Sequence, residues 1–173
     1  MFLKGDNIAL RAVEPTDAAV LYQWENDVTI WPVSAIIEPF SKFTIEQFSE
    51  GPHDIYTQRQ LRLMIVDLIT NQPIGAADLY DFDPHHLRSG VGIYITETFR
   101  GKGLAGEAIQ LLLNYCFNVL LLNQVYALVN DSNSDSLALF IRNGFEKSGL
   151  KKQWNRTGKG SFSDVWFLQK FNG

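Results

Sequence analysis

The sequence predicts a mixed α/β fold built on a largely antiparallel sheet of about six to seven strands, with helices on both faces. Two observations predict it. Three apolar segments between Arg59 and Thr96 follow one another with short connections, which is the pattern of an antiparallel meander. Helices and further strands then alternate toward the end of the chain, so the later strands of the sheet are connected through helices.

The composition is that of one globular domain covering residues 1–173. Hydrophobic residues make up 46% of the chain and charged residues 20%, and no linker or repeat divides it. No apolar run approaches the ~18 residues of a membrane span. The first residues lack the basic and apolar regions of a signal peptide, so we expect no association with a membrane.

Charge and cysteine content restrict the partners. The net charge of −4 disfavours a nucleic-acid-binding surface and agrees with a small cationic substrate. Cys116 is the single cysteine, so no internal disulfide forms and a reducing, cytoplasmic location is expected. A homodimer is compatible with the sequence.

The first third of the chain is predicted to be a strand followed by two helices. Asn7–Arg11 alternates apolar and polar residues as a strand does. Glu14–Asp17 carries the capping and acidic residues of a helix start. Two prolines make Asn26–Phe40 a loop or a broken helix. Thr44, with Gln47 three residues later, has the capping-box pattern and is predicted to cap a second helix.

The meander consists of three strands and two turns. The strands Arg59–Ile69, Ile74–Phe82 and Ser89–Thr96 are rich in branched apolar residues. Asn71–Pro73 and Asp83–His86 connect them with residues that favour turns.

The last third is predicted to alternate helices with strands. Helical spacing of Leu104, Ala108 and Leu112 places a helix over Ala105–Asn118. Next come a buried strand, Gln124–Val129, and a short helix, Ser136–Arg142, which stops at Asn143-Gly144. The chain ends with the strands Phe145–Trp154 and Phe162–Phe171, which are joined by the basic loop Asn155–Gly160.

The turn between the central strand and the helix Ala105–Asn118 is the segment that points to chemistry. Its glycines let backbone N–H groups converge on a phosphate at the positive end of a helix. It matches the dinucleotide pattern G-x-G-x-x-G, but the strand ends five residues before Gly101 and a meander precedes it, which disfavours that interpretation. Lys102 is followed by Gly103 and not by Ser or Thr, so a P-loop is excluded. A connector that binds nothing is the remaining alternative.

Two segments together carry a resemblance to a known family. Arg100-Gly101-Lys102-Gly103-Leu104-Ala105 fits R/Q-x-x-G-x-G/A, and resembles the pyrophosphate loop of the GNAT superfamily of N-acetyltransferases. Asn133–Phe145 resembles the second signature of that superfamily, about 30 residues further on. The order of elements agrees over nearly the whole chain. Asn133-x-x-Ser136 looks most like the branch that acetylates the N-termini of ribosomal proteins, and Trp24–Asp27 is typical of that branch and of its spermidine-acetylating relatives.

The resemblance implies that acetyl-CoA is the donor and that an amine attacks it directly. The sheet is then splayed beside the central strand, which leaves a gap for the thioester, and no metal takes part. The residues expected to bind the cofactor are Ile93, Tyr94 and Ile95 of the central strand, the turn residues Arg100, Gly101, Lys102, Gly103, Leu104, Ala105 and Gly106, and Asn133.

The catalytic groups depart from the family pattern. Many members have a Tyr general acid where this chain has Phe140, and a hydroxyl near the sulfur is then expected from Ser136, whose alternative role is to cap the short helix. Relatives often carry a Glu on the central strand where this chain has Gly90. Asp78 is the base that we expect, with Asp81, His85 or His86, or a water relay, as alternatives.

The acceptor is expected near the end of the first helix, where the family binds it. Glu25, Asp27 and Trp31 combine carboxylates with an aromatic ring, which suits a cationic amine. The predicted function is acetyl transfer to a primary amine, either a protein or peptide N-terminus or a polyamine or other small amine. A non-catalytic acyl-CoA-binding or regulatory module is the alternative.

Overall fold

The structure is a computed structural model that describes residues 3–34 and 37–173. By its internal contacts the chain forms a large unit, Met1–Arg11 with Asp54–Gly173, and a small unit, Ala12–His53. The interpretation of residues 1–173 as one domain stays a prediction.

The large unit is built on a seven-stranded sheet with the strand order β1-β2-β3-β4-β5-β7-β6. The mixed, mostly antiparallel sheet expected from the sequence is thereby confirmed, and its strands lie within a few residues of their predicted bounds. They are β1 Ile8–Ala12, β2 Leu61–Asp67, β3 Pro73–Asp83, β4 Arg88–Ile95, β5 Gln124–Asn130, β6 Glu146–Gly158 and β7 Ser161–Phe171.

The predicted meander is confirmed, and it ends at the one parallel strand pair documented in the described residues. β2, β3 and β4 pair antiparallel in sequence order. β4 then pairs parallel with β5 over only three positions, Arg88↔Gln124, Ser89↔Val125 and Gly90↔Tyr126. Beyond Gly90 the two strands separate, so residues 91–95 of β4 face a gap. The splayed sheet is therefore present at its predicted position.

Apolar faces of the helices and of the sheet build the core of the large unit. Helix α5, Leu104–Asn118, and helix α6, Ser134–Arg142, bury apolar side chains in the same cluster as the inward residues of β2 to β5. A short helix, α4 (Ile55–Gln58), contributes Ile55. The predicted stop of α6 is confirmed, since Asn143 caps it and Gly144 adopts the left-handed conformation with φ 85°.

The hairpin of β6 and β7 differs from its prediction. Asn155–Gly160 was expected to be a loop because of its glycines and charges. Instead Asn155 pairs with Ser163 and Arg156 pairs with Phe162, so most of the segment extends β6. Three register shifts absorb the irregular residues, which is how a strand accommodates residues that fit a regular ladder poorly.

The small unit consists of helices. A 3₁₀ turn, Pro15–Asp17, precedes α1 (Ala18–Glu25), and α2 (Trp31–Ser34) and α3 (Lys42–Glu50) follow. The predicted cap of α3 at Thr44 is wrong, because the Ser41 hydroxyl accepts the Thr44 N–H at 3.1 Å one turn earlier. The segment expected as a loop or a broken helix contains the short α2. Two of its residues, Ala35 and Ile36, lie outside the described residues.

A glycine in the middle of the sheet gives a test of the strand packing. A Cβ on Gly75 would overlap the Tyr94 carbonyl oxygen and lie 3.1 Å from Ile95 Cα, and both are backbone atoms that cannot rotate away. We expect Gly75→Ala to lower the free energy of unfolding by about 1–3 kcal/mol, measured by urea denaturation. Gly149→Ala is the matched control, since no atom lies within 4 Å of its added Cβ. Equal stability losses in the two variants would contradict the packing described for β3 and β4.

Candidate active site

The glycine turn forms an open concave backbone surface at the start of α5. Gly101 and Gly103 have φ values of 73° and 78°, the left-handed region that glycine adopts without strain. No atom lies within 4 Å of a Cβ built on either residue. The space in front of this backbone is therefore free for a ligand.

Backbone N–H groups converge on that space. Gly103 is the N-cap of α5, and the first intrahelical bond runs from the Glu107 N–H to the Gly103 carbonyl. Within the ranges 3–34 and 37–173, no acceptor is found for the N–H groups of Leu104, Ala105 and Gly106. Unpaired N–H groups at the positive end of a 15-residue helix attract an anion, and a diphosphate group fits this donor set.

Charged side chains around the turn are held in place. The Arg100 Nε donates to the Ile95 carbonyl at 2.9 Å, which fixes the guanidinium at the end of β4. The Lys102 ammonium lies 4.8 Å from the centre of the Phe99 ring. Glu107 is the acid in the first turn of α5. Burial raises its pKa, but hydrogen bonds from Asn7 and Ile8 outweigh this and lower it. Arg100 and Lys102 therefore flank the turn with positive charge, while the Glu107 carboxylate accepts hydrogen bonds from Asn7 and Ile8.

The free edge of β4 offers hydrogen-bonding groups to a second part of the ligand. The Thr96 N–H bonds to the Ile74 carbonyl on β3, so the alternate backbone groups of Val91, Ile93 and Ile95 point toward β5. The last parallel pair, Gly90↔Tyr126, uses the Val91 N–H, and the Ile95 carbonyl accepts from Arg100. An extended chain that carries amide groups can therefore pair with β4 as an additional strand at Ile93 and at the Ile95 N–H.

Two tyrosines and a glycine close the narrow end of the gap. Gly90 lies between Tyr80 on β3 and Tyr126 on β5, at the last paired position. A Cβ on Gly90 would overlap the Tyr80 ring, so the ring covers the glycine and no side chain fits there. The rings of Tyr80 and Tyr126 make an edge-to-face contact with centroids 5.8 Å apart. The Tyr80 ring thus fills the space that a Glu side chain at position 90, which the family resemblance leads one to expect, would need.

The hydroxyl groups of these tyrosines are in different surroundings. Burial, followed by the neighbouring Tyr126, raises the pKa of Tyr80, whereas the Leu128 backbone N–H facing its oxygen acts in the opposite direction. Burial also raises the pKa of Tyr126 to about 12, and its hydroxyl donates to the Asp81 carboxylate at 3.2 Å. Asp81 has a φ of 48° within the irregular end of β3, and that conformation points its carboxylate across to β5.

Asp78 lies on the same face of β3 as Tyr80 and is engaged by an arginine. The Arg62 guanidinium donates to both of its oxygens, from Nε at 2.7 Å and from the second nitrogen at 2.8 Å. Its partner on β4 is Gly92, and no atom lies within 4 Å of a Cβ built there. Asp78 therefore borders open space beside β4, and both of its carboxylate oxygens accept from Arg62.

The residue that caps α6 is Asn133 and not Ser136. The Asn133 side-chain oxygen accepts the Ser136 N–H at 3.2 Å, so Asn133 caps α6. The alternative that Ser136 is the cap is wrong, because it lies three residues into the helix. Its hydroxyl makes no hydrogen bond within the described part of the chain. Phe140 is buried, with its ring 5.0 Å from that of Phe145.

The expected acceptor residues lie together in the small unit. The Trp31 ring nitrogen donates to the Glu25 carbonyl at 2.9 Å. Asp27 accepts the backbone N–H and the hydroxyl of Thr29 at 2.9 and 2.6 Å. These bonds fix the turn that follows α1 and bring the three residues into one segment.

Other candidates have structural partners in the turn between β3 and β4. His85 and His86 are exposed, and both donate their backbone N–H groups to Asp83. In residues 3–34 and 37–173, no group of three or more His, Cys, Asp or Glu side chains could hold a metal ion. No helix there is long and apolar enough to cross a membrane.

Sequence reasoning missed Tyr80 and Tyr126 as site residues. The motifs direct attention to the turn and to α6, whereas these tyrosines belong to neighbouring strands. A signal was present, because Gly90 sits in the middle of an apolar strand and an aromatic residue opposite such a glycine often fills its space.

An open anion cradle beside a splayed strand pair defines a site for an acyl-CoA-dependent transferase. Comparison with known proteins identifies the family: residues 7–146 match the Acetyltransferase (GNAT) domain model. An uncharacterized N-acetyltransferase, p20, of Bacillus licheniformis is 29% identical, covering 96% of this chain and 93% of that protein. Spermidine N(1)-acetyltransferase of Escherichia coli K12 is 26% identical, covering 83% and 75%.

A solved structure has the same fold. Spermidine N-acetyltransferase from Vibrio cholerae, in complex with CoA and spermine, superposes with a TM-score of 0.87 at 23% identity and covers 97% of both chains. The chain belongs to the GNAT acetyltransferase family. It is an N-acetyltransferase that uses acetyl-CoA to acetylate an amine.

The capping role of Asn133 gives a test that separates structure from cofactor binding. We expect Asn133→Ala to lower the free energy of unfolding by about 1 kcal/mol, because the Ser136 N–H loses its acceptor. Asn133→Asp should restore most of this stability, measured by thermal unfolding without ligand. If Asn133→Ala is as stable as the wild type, the capping assignment fails.

Proposed function

We propose that the acceptor of this N-acetyltransferase is a polyamine or a similar polycationic amine. The observation that carries the proposal is the charge of the small unit. Ala12–His53 contains seven carboxylates and one lysine, a formal charge of −6, whereas the whole chain carries −4. The large unit is thus slightly basic at +2, as suits an anionic donor.

The carboxylates of the small unit suit several ammonium groups at once. Lys42, the single lysine, pairs at 3.6 Å with Glu46, on an exposed helix surface. Glu25 and Asp27 lie in the turn that Trp31 packs against, where an aromatic face adds to the attraction of a cation. The spermidine acetyltransferases among the relatives support the same class of acceptor. A peptide N-terminus offers a single ammonium and uses less of this charge.

The donor is proposed to lie along the glycine turn and β4. The diphosphate would accept hydrogen bonds from the turn 100–106, with Arg100 and Lys102 adding positive charge. The pantetheine arm would lie along Ile93, Tyr94 and Ile95 in the manner of an extra strand, near Asn133, and its amides would pair with Ile93 and with the Ile95 N–H. Its thioester would then reach the narrow end of the gap at Gly90.

In the proposed reaction the amine nitrogen attacks the thioester carbon. The new C–N bond forms as the C–S bond breaks, and the electron pair leaves with sulfur. The Ile93 N–H faces the gap, where it can polarise the carbonyl oxygen. The amine loses a proton to Asp78 directly or through water, and the thiolate takes up a proton from solvent. Ser136 is proposed to donate a hydrogen bond to the departing sulfur.

Two features of the assembly stay predictions. A homodimer and a cytoplasmic location are expected from the sequence. The buried thiol of Cys116, whose pKa burial raises to about 12, is consistent with a chain that needs no disulfide.

A panel of amines tests the acceptor. Thiol release from acetyl-CoA is measured with spermidine, spermine, a monoamine and a peptide with a free N-terminus. We expect the highest kcat/KM with the polyamines, and a KM for them that rises steeply with salt because the attraction is electrostatic. Glu25→Gln should raise the KM for spermidine several-fold and leave the KM for acetyl-CoA unchanged. Glu50→Gln, which removes the same charge elsewhere in the small unit, serves as its control.

Other outcomes of the panel have clear meanings. Turnover with the peptide alone would contradict a polyamine acceptor. Binding of acetyl-CoA without turnover of any amine would favour the binding module over the enzyme.

The turn gives a separate test of donor binding. Gly103→Val forces a branched residue into a left-handed conformation and projects its side chain into the anion space. We expect it to lower acetyl-CoA affinity at least about tenfold, by isothermal titration. Gly160→Val is the matched control, since Gly160 has a φ of 76° and equally open surroundings in the β6–β7 hairpin. Both variants should lose similar stability, and unchanged affinity in the Gly103 variant would overturn the phosphate-binding role of the turn.

A further inference from the structure

The position of the Tyr80 hydroxyl suggests a role that no sequence motif indicates. Tyr80 belongs to β3, yet its ring lies over Gly90 of β4 and its oxygen faces the Leu128 N–H of β5. The side chain thus spans all three strands at the point where the β4–β5 pairing ends. A hydroxyl fixed there is at the closed end of the gap into which the thioester is proposed to reach.

We propose that Tyr80 donates a hydrogen bond to the thioester sulfur as the C–S bond breaks, in place of the tyrosine that α6 lacks at Phe140. The inference rests on the proposed position of the donor substrate. The carbonyl oxygen faces the N–H groups of β4, so the sulfur is left for donors from the opposite wall of the gap. Leu128 lies in that wall, and its N–H faces the phenol oxygen. Because an N–H group is only a donor, it leaves the O–H proton of Tyr80 for another acceptor.

Two contacts hold the ring in this position. Gly90 provides the space, because any side chain there would displace the ring. The Tyr126 ring supports it edge to face and is itself 5.2 Å from the Phe167 ring. Tyr126 donates its own proton to Asp81, so it does not compete for the sulfur. By contrast, the Ser136 hydroxyl makes no hydrogen bond with the described residues that would orient it.

Tyr80 keeps its proton throughout the reaction. Burial and the adjacent Tyr126 raise its pKa, and Asp81 acts in the same direction. An ordinary thiol ionises near about 8.5, so the proton stays on the phenol oxygen while the electron pair of the C–S bond moves to sulfur. Tyr80 stabilises the thiolate through a hydrogen bond, and protonation of the thiolate by solvent completes the balance.

Removing the hydroxyl alone tests the assignment. Tyr80→Phe keeps the ring over Gly90, and we expect kcat to fall about 10- to 100-fold with the KM for acetyl-CoA unchanged. Tyr56→Phe is the matched control, because it removes one hydroxyl from another edge-to-face ring pair, Tyr56 of α4 with Phe82. Its kcat should stay within about threefold of the wild type. Equal losses in both variants would show that the effect is not specific to the gap and would overturn the assignment.

Binding of the product gives a readout that is independent of turnover. If Tyr80 stabilises the thiolate, bound CoA has a lower thiol pKa than free CoA, and its affinity rises as pH increases from 7 to 9. Desulfo-CoA, which has no thiol, corrects for any other pH dependence of binding; the charged and titratable groups that face Tyr80 and Tyr126 are Asp81 and Arg88. We expect the rise with CoA relative to desulfo-CoA in the wild type and in Tyr56→Phe, but not in Tyr80→Phe.

The outcomes distinguish the proposed donor site from the proposed role of Tyr80. Failure of the wild type to bind either CoA or desulfo-CoA would overturn the donor site itself and the role of Tyr80 with it. Normal binding, with a kcat and a pH dependence in Tyr80→Phe equal to those of the wild type, would overturn the role of Tyr80 alone.

Discussion

The early end of the parallel pairing between β4 and β5 is the constraint on which the site depends. After Gly90↔Tyr126 the strands diverge, and the backbone groups of Ile93 have no partner strand on that side. Unpaired backbone groups inside a sheet are costly unless water or a ligand satisfies them. The sheet therefore has a place for an extended ligand in its middle, and the glycine turn stands at the wide end of the same gap.

Glycines meet two different physical needs along this path. In β3 and β4, Gly75 and Gly90 make room for a neighbouring backbone and for the Tyr80 ring, so their role is close packing. In the turn, Gly101 and Gly103 have open surroundings and positive φ values, so their role is conformational freedom beside an anion. The same residue type thus fixes the narrow end of the gap by contact and opens its wide end by conformation.

The sequence predicted the parts of the fold that local patterns determine. Strand alternation and the spacing of apolar residues predicted the meander and α5 within a few residues. The differences lie where another residue or a strand pairing replaced the local pattern. Ser41 caps α3 in place of Thr44, and Asn133 caps α6 in place of Ser136. Cross-strand pairing makes Asn155 and Arg156, which were predicted to be in a loop, part of β6. Tyr80 could not be assigned because its contacts depend on the register of three strands, which no window of sequence contains.

The donor can be predicted from the sequence and the acceptor cannot, because the two proposed sites use different kinds of groups. The proposed donor site consists mainly of backbone groups, and a backbone conformation of this kind requires glycines at set spacing, which leaves a motif. A polycationic acceptor needs only carboxylates and aromatic rings at suitable distances, and many arrangements of Glu, Asp and Trp provide them. The excess of negative charge in Ala12–His53 is therefore a better guide to the acceptor than any single residue of that unit. It indicates the kind of charge that the proposed substrate carries, while the spacing of that substrate's amines is set by side-chain positions that no pattern of residue types specifies.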